Sequence, residues 1–202
     1  MGRDLSNAEQ ILELARRAGV VTAAEVRQLG IHSEYLRRLC ADARLVRVAR
    51  GLYVLPDAEV TAHHSLALAA KAVPKGVICL LSALRFHGIG TQMPHEVWMA
   101  IDRRSAEPRT DRPILRIVRF SGKALTEGIE AHSIEGVPVR IYCAAKTVAD
   151  CFKYRNKLGL DVALEALREV LQNRSCTVGE LLRYARVCRV ARVMQPYLEA
   201  LT

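Results

Sequence analysis

Arg37 and Arg38 follow Ser33 and Tyr35 within one short segment, and Arg47 and Arg50 come soon after. An arginine fork matches a phosphate, or the O6/N7 edge of guanine, with two parallel hydrogen bonds, and serine and tyrosine hydroxyls add adaptable polar contacts. This is chemistry for recognising a nucleic acid rather than for breaking bonds. The residues that would break bonds are not grouped. Glu96, Asp102 and Glu130 stand near β-prone runs, yet none has a second acid at a spacing that puts both on one face, as a metal-dependent nuclease requires. His63, His64, His87 and His95 occur without an H-E-x-x-H pattern, and the six cysteines occur without C-x-x-C or any other metal-ligand spacing. No phosphate-binding P-loop or nucleophile-elbow motif is present, and Gly88-Ile89-Gly90 lacks the rest of a dinucleotide fingerprint. The expectation is a protein that is not an enzyme and needs neither cofactor nor metal.

The arginines need elements to hold them, and the sequence supplies start and stop signals for each. Ser6 with Glu9 forms a capping box, Ile11, Leu12, Leu14, Ala15 and Ala18 form an apolar stripe, and Gly19 ends this first helix. After the short apolar link Val20-Val21, a second box, Thr22 with Glu25, opens a brief helix that stops at Gly30. Ser33 is the expected cap of a third helix, in which Leu36, Leu39 and Cys40 face inward while Tyr35, Arg37 and Arg38 lie elsewhere on the surface. Two β-prone runs follow, Leu45 to Val48 and Leu52 to Leu55, joined by Ala49-Arg50-Gly51, a hairpin loop with glycine for the positive φ. Residues 1–56 therefore predict a winged helix-turn-helix with Arg50 at the tip of the wing. In that geometry Ser33, Tyr35, Arg37 and Arg38 reach base edges in the major groove, and Arg47 and Arg50 hold phosphates from the wing. Thr22, at the start of the second helix, offers a backbone donor to a further phosphate.

The remaining residues, 57–202, predict an α+β domain with its strands before its closing helices. An alanine- and leucine-rich helix around Ser65 to Ala70 ends at Pro74, and a helix over Ser82 to His87 is closed by Gly88 and Gly90. Val97 to Ile101 reads as a buried strand, the alternation of Ile114, Arg116, Val118 and Phe120 as a half-exposed one, and Val137 to Tyr142 as a strand starting at a sheet edge because of Pro138. Between the first two lies the charged loop Arg103 to Arg112. Helices follow over Ala144 to Arg155 and Asp161 to Leu171, and Thr177 with Glu180 caps another. Arg183, Arg186, Arg189 and Arg192 recur every third residue and form a basic stripe.

Composition agrees with a polyanionic partner. Thirty basic residues against 21 acidic ones leave a net charge of +9 on 202 residues, half of them apolar. No run approaches the ~20 apolar residues of a membrane span, and Arg3 and Asp4 stand where a signal peptide would be apolar. The unpaired cysteines fit the reducing cytoplasm.

The chain also resembles a known family, the AbiE-type antitoxins of type IV toxin–antitoxin and abortive-infection systems. Three blocks carry the resemblance: Arg50-Gly51-Leu52-Tyr53-Val54 with Pro56; Leu81-Ser82-Ala83-Leu84 with His87-Gly88, then Thr91-Gln92 and Pro94-His95-Glu96-Val97-Trp98; and Ala145-Lys146-Thr147-Val148-Ala149-Asp150-Cys151-Phe152 with Arg155 and Ala163 to Leu167. The resemblance implies a winged helix that represses its own operon at inverted repeats in double-stranded DNA. It also implies a C-terminal domain that counters a nucleotidyltransferase-like toxin without a stable complex, with Lys146, Thr147, Asp150 and Arg155 as the positions of interest. The residues alone permit a plainer reading, in which Lys146 and Asp150, at i and i+4, form a surface ion pair worth about 0.3–0.5 kcal/mol. A winged helix that serves as a protein-interaction module and, behind it, a metal-dependent nuclease are the other readings left open.

Overall fold

Ser6 begins the first helix as its side chain requires. Its Oγ accepts from the Glu9 N–H at 3.3 Å while the Glu9 carboxylate accepts from the Ser6 N–H at 2.8 Å, which launches α1 (Asn7–Ala18). The structure, a computed structural model, describes residues 5–201, so Arg3 and Asp4 lie outside it. The chain then forms β1 (Val21–Thr22), α2 (Ala23–Gln28), α3 (Glu34–Ala41), β2 (Val46–Ala49) and β3 (Leu52–Val54). The strands make a sheet in the order β1-β3-β2, with Val21 opposite Tyr53 and Arg47 opposite Tyr53 on the other side. Val20-Val21 is thus more than a link, since it leads into the third strand of the wing sheet. Ile11, Leu12, Ala15, Val26, Leu36, Leu39 and Leu45 close over this sheet as one buried core.

Two compact units are present. The first runs to Pro74 and takes in Pro108–Ile114 and Ser133–Val139 from later in the chain. It therefore extends past residue 56, and α4 (His64–Ala72), packed on β3, belongs to it. His64 is half-buried, with Nδ1 2.6 Å from Glu135 Oε2. Glu135 also accepts from the N–H of Thr61 at 2.7 Å and from its hydroxyl at 2.8 Å. Glu135 and Gly136 form a two-residue turn with φ of 53° and 76°, the combination that a tight hairpin needs. Gly19 packs under this turn at φ 64°, so close that a Cβ there would fall 1.7 Å from the Glu135 carbonyl oxygen.

A five-stranded sheet is formed by β4 (Val77–Ile78), β5 (Val97–Asp102), β6 (Leu115–Phe120), β7 (Ile129–Ile134) and β8 (Val137–Tyr142), of which all but the Ser133–Val139 tip of β7 and β8 belongs to the second unit. The order is β6-β5-β4-β8-β7, with β5 parallel to β6, β4 antiparallel to β5 and β4 parallel to β8. β8 is therefore interior, correcting the edge assignment drawn from Pro138. The ladder tolerates the proline because β4 pairs with β8 only at Ile141. The helices are α5 (Leu80–Phe86), α6 (Lys123–Thr126), α7 (Ala144–Lys153), α8 (Arg155–Leu158), α9 (Leu160–Gln172), α10 (Val178–Val187) and α11 (Ala191–Leu201). α7 is the hub. It contacts α5, α9, α10 and α11, and every residue from Ala145 to Phe152 is buried. No helix among the described residues is long and apolar enough to cross a membrane.

Candidate nucleic-acid interface

α3 presents one face to the core and one to solvent. Leu36 and Leu39 are 1% and 2% exposed, a burial worth about 1.5–3 kcal/mol each, and they fix the helix so that its other side must face outward. On that side the Arg37 and Arg38 side chains are 76% and 65% exposed. Ser33 is exposed and Tyr35 half-buried, with the Arg38 guanidinium 5.6 Å from the centre of the Tyr35 ring. A cation over an aromatic face at this distance is weakly attracted to it.

Ser33 does not cap α3, contrary to the sequence expectation. Its φ and ψ of −61° and −15° are already helical, which turns the hydroxyl away from the N–H groups that it would satisfy. His32 takes over, its Nδ1 accepting from the Glu34 N–H at 3.2 Å. Glu34 is the residue that sequence reasoning passed over. Both of its oxygens accept from Arg37 Nε at 3.0 Å, and Oε1 lies 3.7 Å from Arg38 Nε. The Arg37 guanidinium holds the Glu34 carboxyl below its ordinary value, and Glu34 in turn raises Arg37.

The wing turns at Arg50-Gly51, where Gly51 has a φ of 75°. A register shift between Arg47 and Ala49 bends β2, and Arg47 Nε donates to the Ala49 carbonyl at 3.3 Å. Arg47 and Arg50 are both exposed. The Arg50 N–H donates to Asp111 Oδ1 at 2.9 Å, and this bond is the main reason that Asp111 stays below the usual carboxylate range. Asp111 belongs to Pro108–Ile114, which the sequence presents only as a charged loop. That segment carries Arg109 and Arg112, both exposed, beside the wing.

The polar atoms of Thr22, expected to offer a phosphate donor, are engaged in the cap of α2. Its N–H goes to Glu25 Oε2 at 2.7 Å, its Oγ1 accepts from the Glu25 N–H at 3.0 Å, and the next N–H, on Ala23, is taken by the Gly51 carbonyl at 3.0 Å. These bonds join the start of α2 to the turn of the wing. Lys71 of α4 completes the arrangement, with Nζ 2.7 Å from Glu25 Oε1.

Residues 9–56, from α1 to just beyond β3, match a family described as transcriptional regulator, AbiEi antitoxin. The likeness to that family is confined to this stretch of the chain. Over those residues the resemblance read from the sequence holds, and the family is one of regulators of transcription. No curated protein matches the chain significantly in sequence. Among solved structures, the RV2827C protein from Mycobacterium tuberculosis is similar in fold, with a TM-score of 0.57 at 15% identity, over 90% of this chain and 72% of that one.

Of the four positions singled out beyond residue 56, Lys146 and Asp150 occupy a different environment from the one expected. Lys146 and Asp150 are 0% and 2% exposed, so their pair is internal and not a surface pair. The Lys146 ammonium sits 4.2 Å from the Tyr142 ring centre and 5.0 Å from that of Phe120, and it donates to Asp150 Oδ2. Cys188 Sγ donates to Asp150 Oδ1 at 3.1 Å. Burial pushes the Asp150 carboxyl up, against the pull of Lys146. Thr147 is buried too, its hydroxyl donating to the Tyr142 carbonyl at 3.2 Å, and Arg155 closes the end of α7 by donating to the Phe152 carbonyl at 3.0 Å. Among the described residues, no three His, Cys, Asp or Glu side chains gather as metal ligands would. The basic stripe is broken by the turn between α10 and α11, where Arg189 has a φ of 60°.

Proposed function

We propose that this chain is a DNA-binding autorepressor and antitoxin that reads inverted repeats in its own promoter and counters a nucleotidyltransferase-like toxin. The observation that carries the DNA reading is the pairing of two elements in one small unit. α3 exposes Arg37 and Arg38 because Leu36 and Leu39 anchor its other face, and the adjoining hairpin exposes Arg47 and Arg50. A duplex accepts such a helix in its major groove and such a hairpin along its backbone. Ser33, Tyr35, Arg37 and Arg38 then contact bases, while Arg47 and Arg50 contact phosphates. Thr22 has a structural role in this scheme. Two copies of the chain meet the two halves of the repeat.

The test is the affinity for the DNA upstream of the reading frame, measured by fluorescence anisotropy over a range of salt. Arg37→Ala or Arg38→Ala is expected to weaken binding on the order of 10- to 100-fold at the specific site and to relax discrimination. Arg50→Ala is expected to weaken all sequences alike and to reduce the salt slope by about 1. Affinity indifferent to all three changes would refute the assignment. Co-expression with the product of an adjacent nucleotidyltransferase-like frame tests the antitoxin part, and growth that the chain fails to restore counts against it.

A further inference from the structure

A recess of about 560 Å³ opens in the second unit beside the end of β6, α6, α7 and the turn between α10 and α11. Its wall carries Arg119, Lys123, Lys153, Arg186 and Arg189, and Asp150 is the single carboxylate that reaches it. Asp150 cannot balance them, because one of its oxygens already accepts from Lys146 and the other from Cys188. Lys153, Arg186 and Arg189 have no carboxylate in ion-pair reach among the described residues. Arg119 is held by the carbonyls of Arg103 at 3.2 Å and Ser105 at 2.7 Å and has Glu107 Oε2 at 3.7 Å, and Lys123 has Glu127 Oε1 at 4.0 Å, so the unbalanced charge on the wall is that of Lys153, Arg186 and Arg189.

Cations on a concave wall repel one another and focus their field into the space that they surround, so the arrangement is unfavourable when empty and favourable around an anion. The volume falls within the range of about 300–1,000 Å³ found for small-molecule sites and is too small to admit a duplex. The half-buried ring of Tyr154 also lines the recess, 5.8 Å from that of Phe120, and offers an aromatic surface beside the cations. We propose that this recess binds a small molecule bearing two or more phosphates, held by Lys153, Arg186 and Arg189. Two sources share that chemistry, a free oligophosphate and a nucleotide whose base lies against Tyr154. The proposal is independent of the DNA reading, which rests on the first unit.

Isothermal titration of the full chain at low salt with tripolyphosphate and with each of the four ribonucleoside triphosphates tests this. Saturable binding is expected, weaker as salt rises, and about 10- to 100-fold weaker in the Arg186→Ala/Arg189→Ala double variant, where two charge-assisted contacts are lost. Both side chains are exposed, so this variant should fold, and its circular dichroism checks that it does. Arg192→Ala, outside the recess, is expected to bind as the parent does. A nucleotide that binds more tightly than tripolyphosphate identifies the nucleotide as the ligand class, and equal affinities identify the oligophosphate alone. No saturable binding, equal binding by the double variant and Arg192→Ala, or binding to polynucleotides only would each overturn the proposal.

Discussion

Lys146→Met separates a structural role for the α7 pair from a role in contacting a partner. Methionine keeps most of the volume and removes the charge, leaving the buried Asp150 with one hydrogen bond, from Cys188. A carboxylate in that position escapes its desolvation penalty by taking up a proton. Holding a carboxyl neutral at pH 7, when the unfolded chain ionises it near 3.9, costs about 1.36 kcal/mol for each unit between the two, or about 4 kcal/mol. Breaking a buried pair by removing one partner typically costs about 3–5 kcal/mol, in agreement. For a chain of this size about 4 kcal/mol corresponds to a fall in Tm of roughly 8–16 °C.

The pH dependence gives a second reading of the same number. In the variant the folded state binds the Asp150 proton more tightly than the unfolded state does, so its contribution falls as pH rises through the window from about 4 to 7. Lowering the pH from 7 should therefore shrink the deficit relative to the parent by about 1.4 kcal/mol per unit. Calorimetry or chemical denaturation at several pH values measures it. Adding Asp150→Leu should recover most of the loss, since a well-packed apolar pair replaces a buried ionic one at little cost. A Tm within about 2 °C of the parent, or a deficit that ignores pH, refutes the argument, and lost antitoxin activity in such a stable variant would restore a direct contact for Lys146.

Glu34→Gln frees both α3 arginines and is expected to tighten binding to DNA of any sequence severalfold while narrowing the gap between operator and unrelated DNA, measured by anisotropy against both. Gly19→Ala should destabilise by about 3 kcal/mol or more, because the left-handed φ and the collision with the Glu135 carbonyl act together. Gly30→Ala, at φ 75° with nothing within 4 Å, should cost only about 1 kcal/mol, and urea titration compares the two. Burial raises the Glu135 carboxyl, but the hydrogen bonds from His64 and Thr61 outweigh it and leave the group below its ordinary 4.5. Its stabilisation is present above that value and lost as pH falls through the folded one, so Glu135→Gln should flatten the acid limb of the stability curve below about pH 4.5.

The features legible in the sequence are those set by neighbours along the chain. The boxes at Ser6, Thr22 and Thr177 form as read, because a cap involves residues three apart. The hairpin at Arg50-Gly51 forms because a turn residue decides it locally. What escaped depends on distant segments. A two-residue strand such as Val21–Thr22 has no periodicity, and only its partner β3 defines it. The tip of β7 and β8 joins the first unit through Glu135, whose companions Thr61 and His64 are more than 70 positions away. For Lys146 and Asp150 the spacing gave the pair but not its surroundings. A signal was present, since Ala145 to Phe152 is small or apolar on nearly every side, and a helix apolar all round is a buried one.

Net charge was the most general argument for a nucleic-acid partner, and the structure shows why it is too coarse to describe the site. Both elements that would meet a duplex carry an acid against their cations, Glu34 on α3 and Asp111 at the wing. An arginine with no partner would bind any phosphate, and it would hold the protein on bulk DNA as firmly as its charge allows. An arginine already forked to Glu34 gains little from a phosphate that merely exchanges one oxyanion for another. It gains from a site where a base edge takes the fork and the freed carboxylate meets a donor, such as the amino group of cytosine, in place of a phosphate. On the proposed DNA reading, Glu34 is expected to lower affinity everywhere and to lower it least at the correct sequence, which is discrimination by penalising the alternatives. On this argument operator specificity depends on an acidic residue as much as on the arginines beside it.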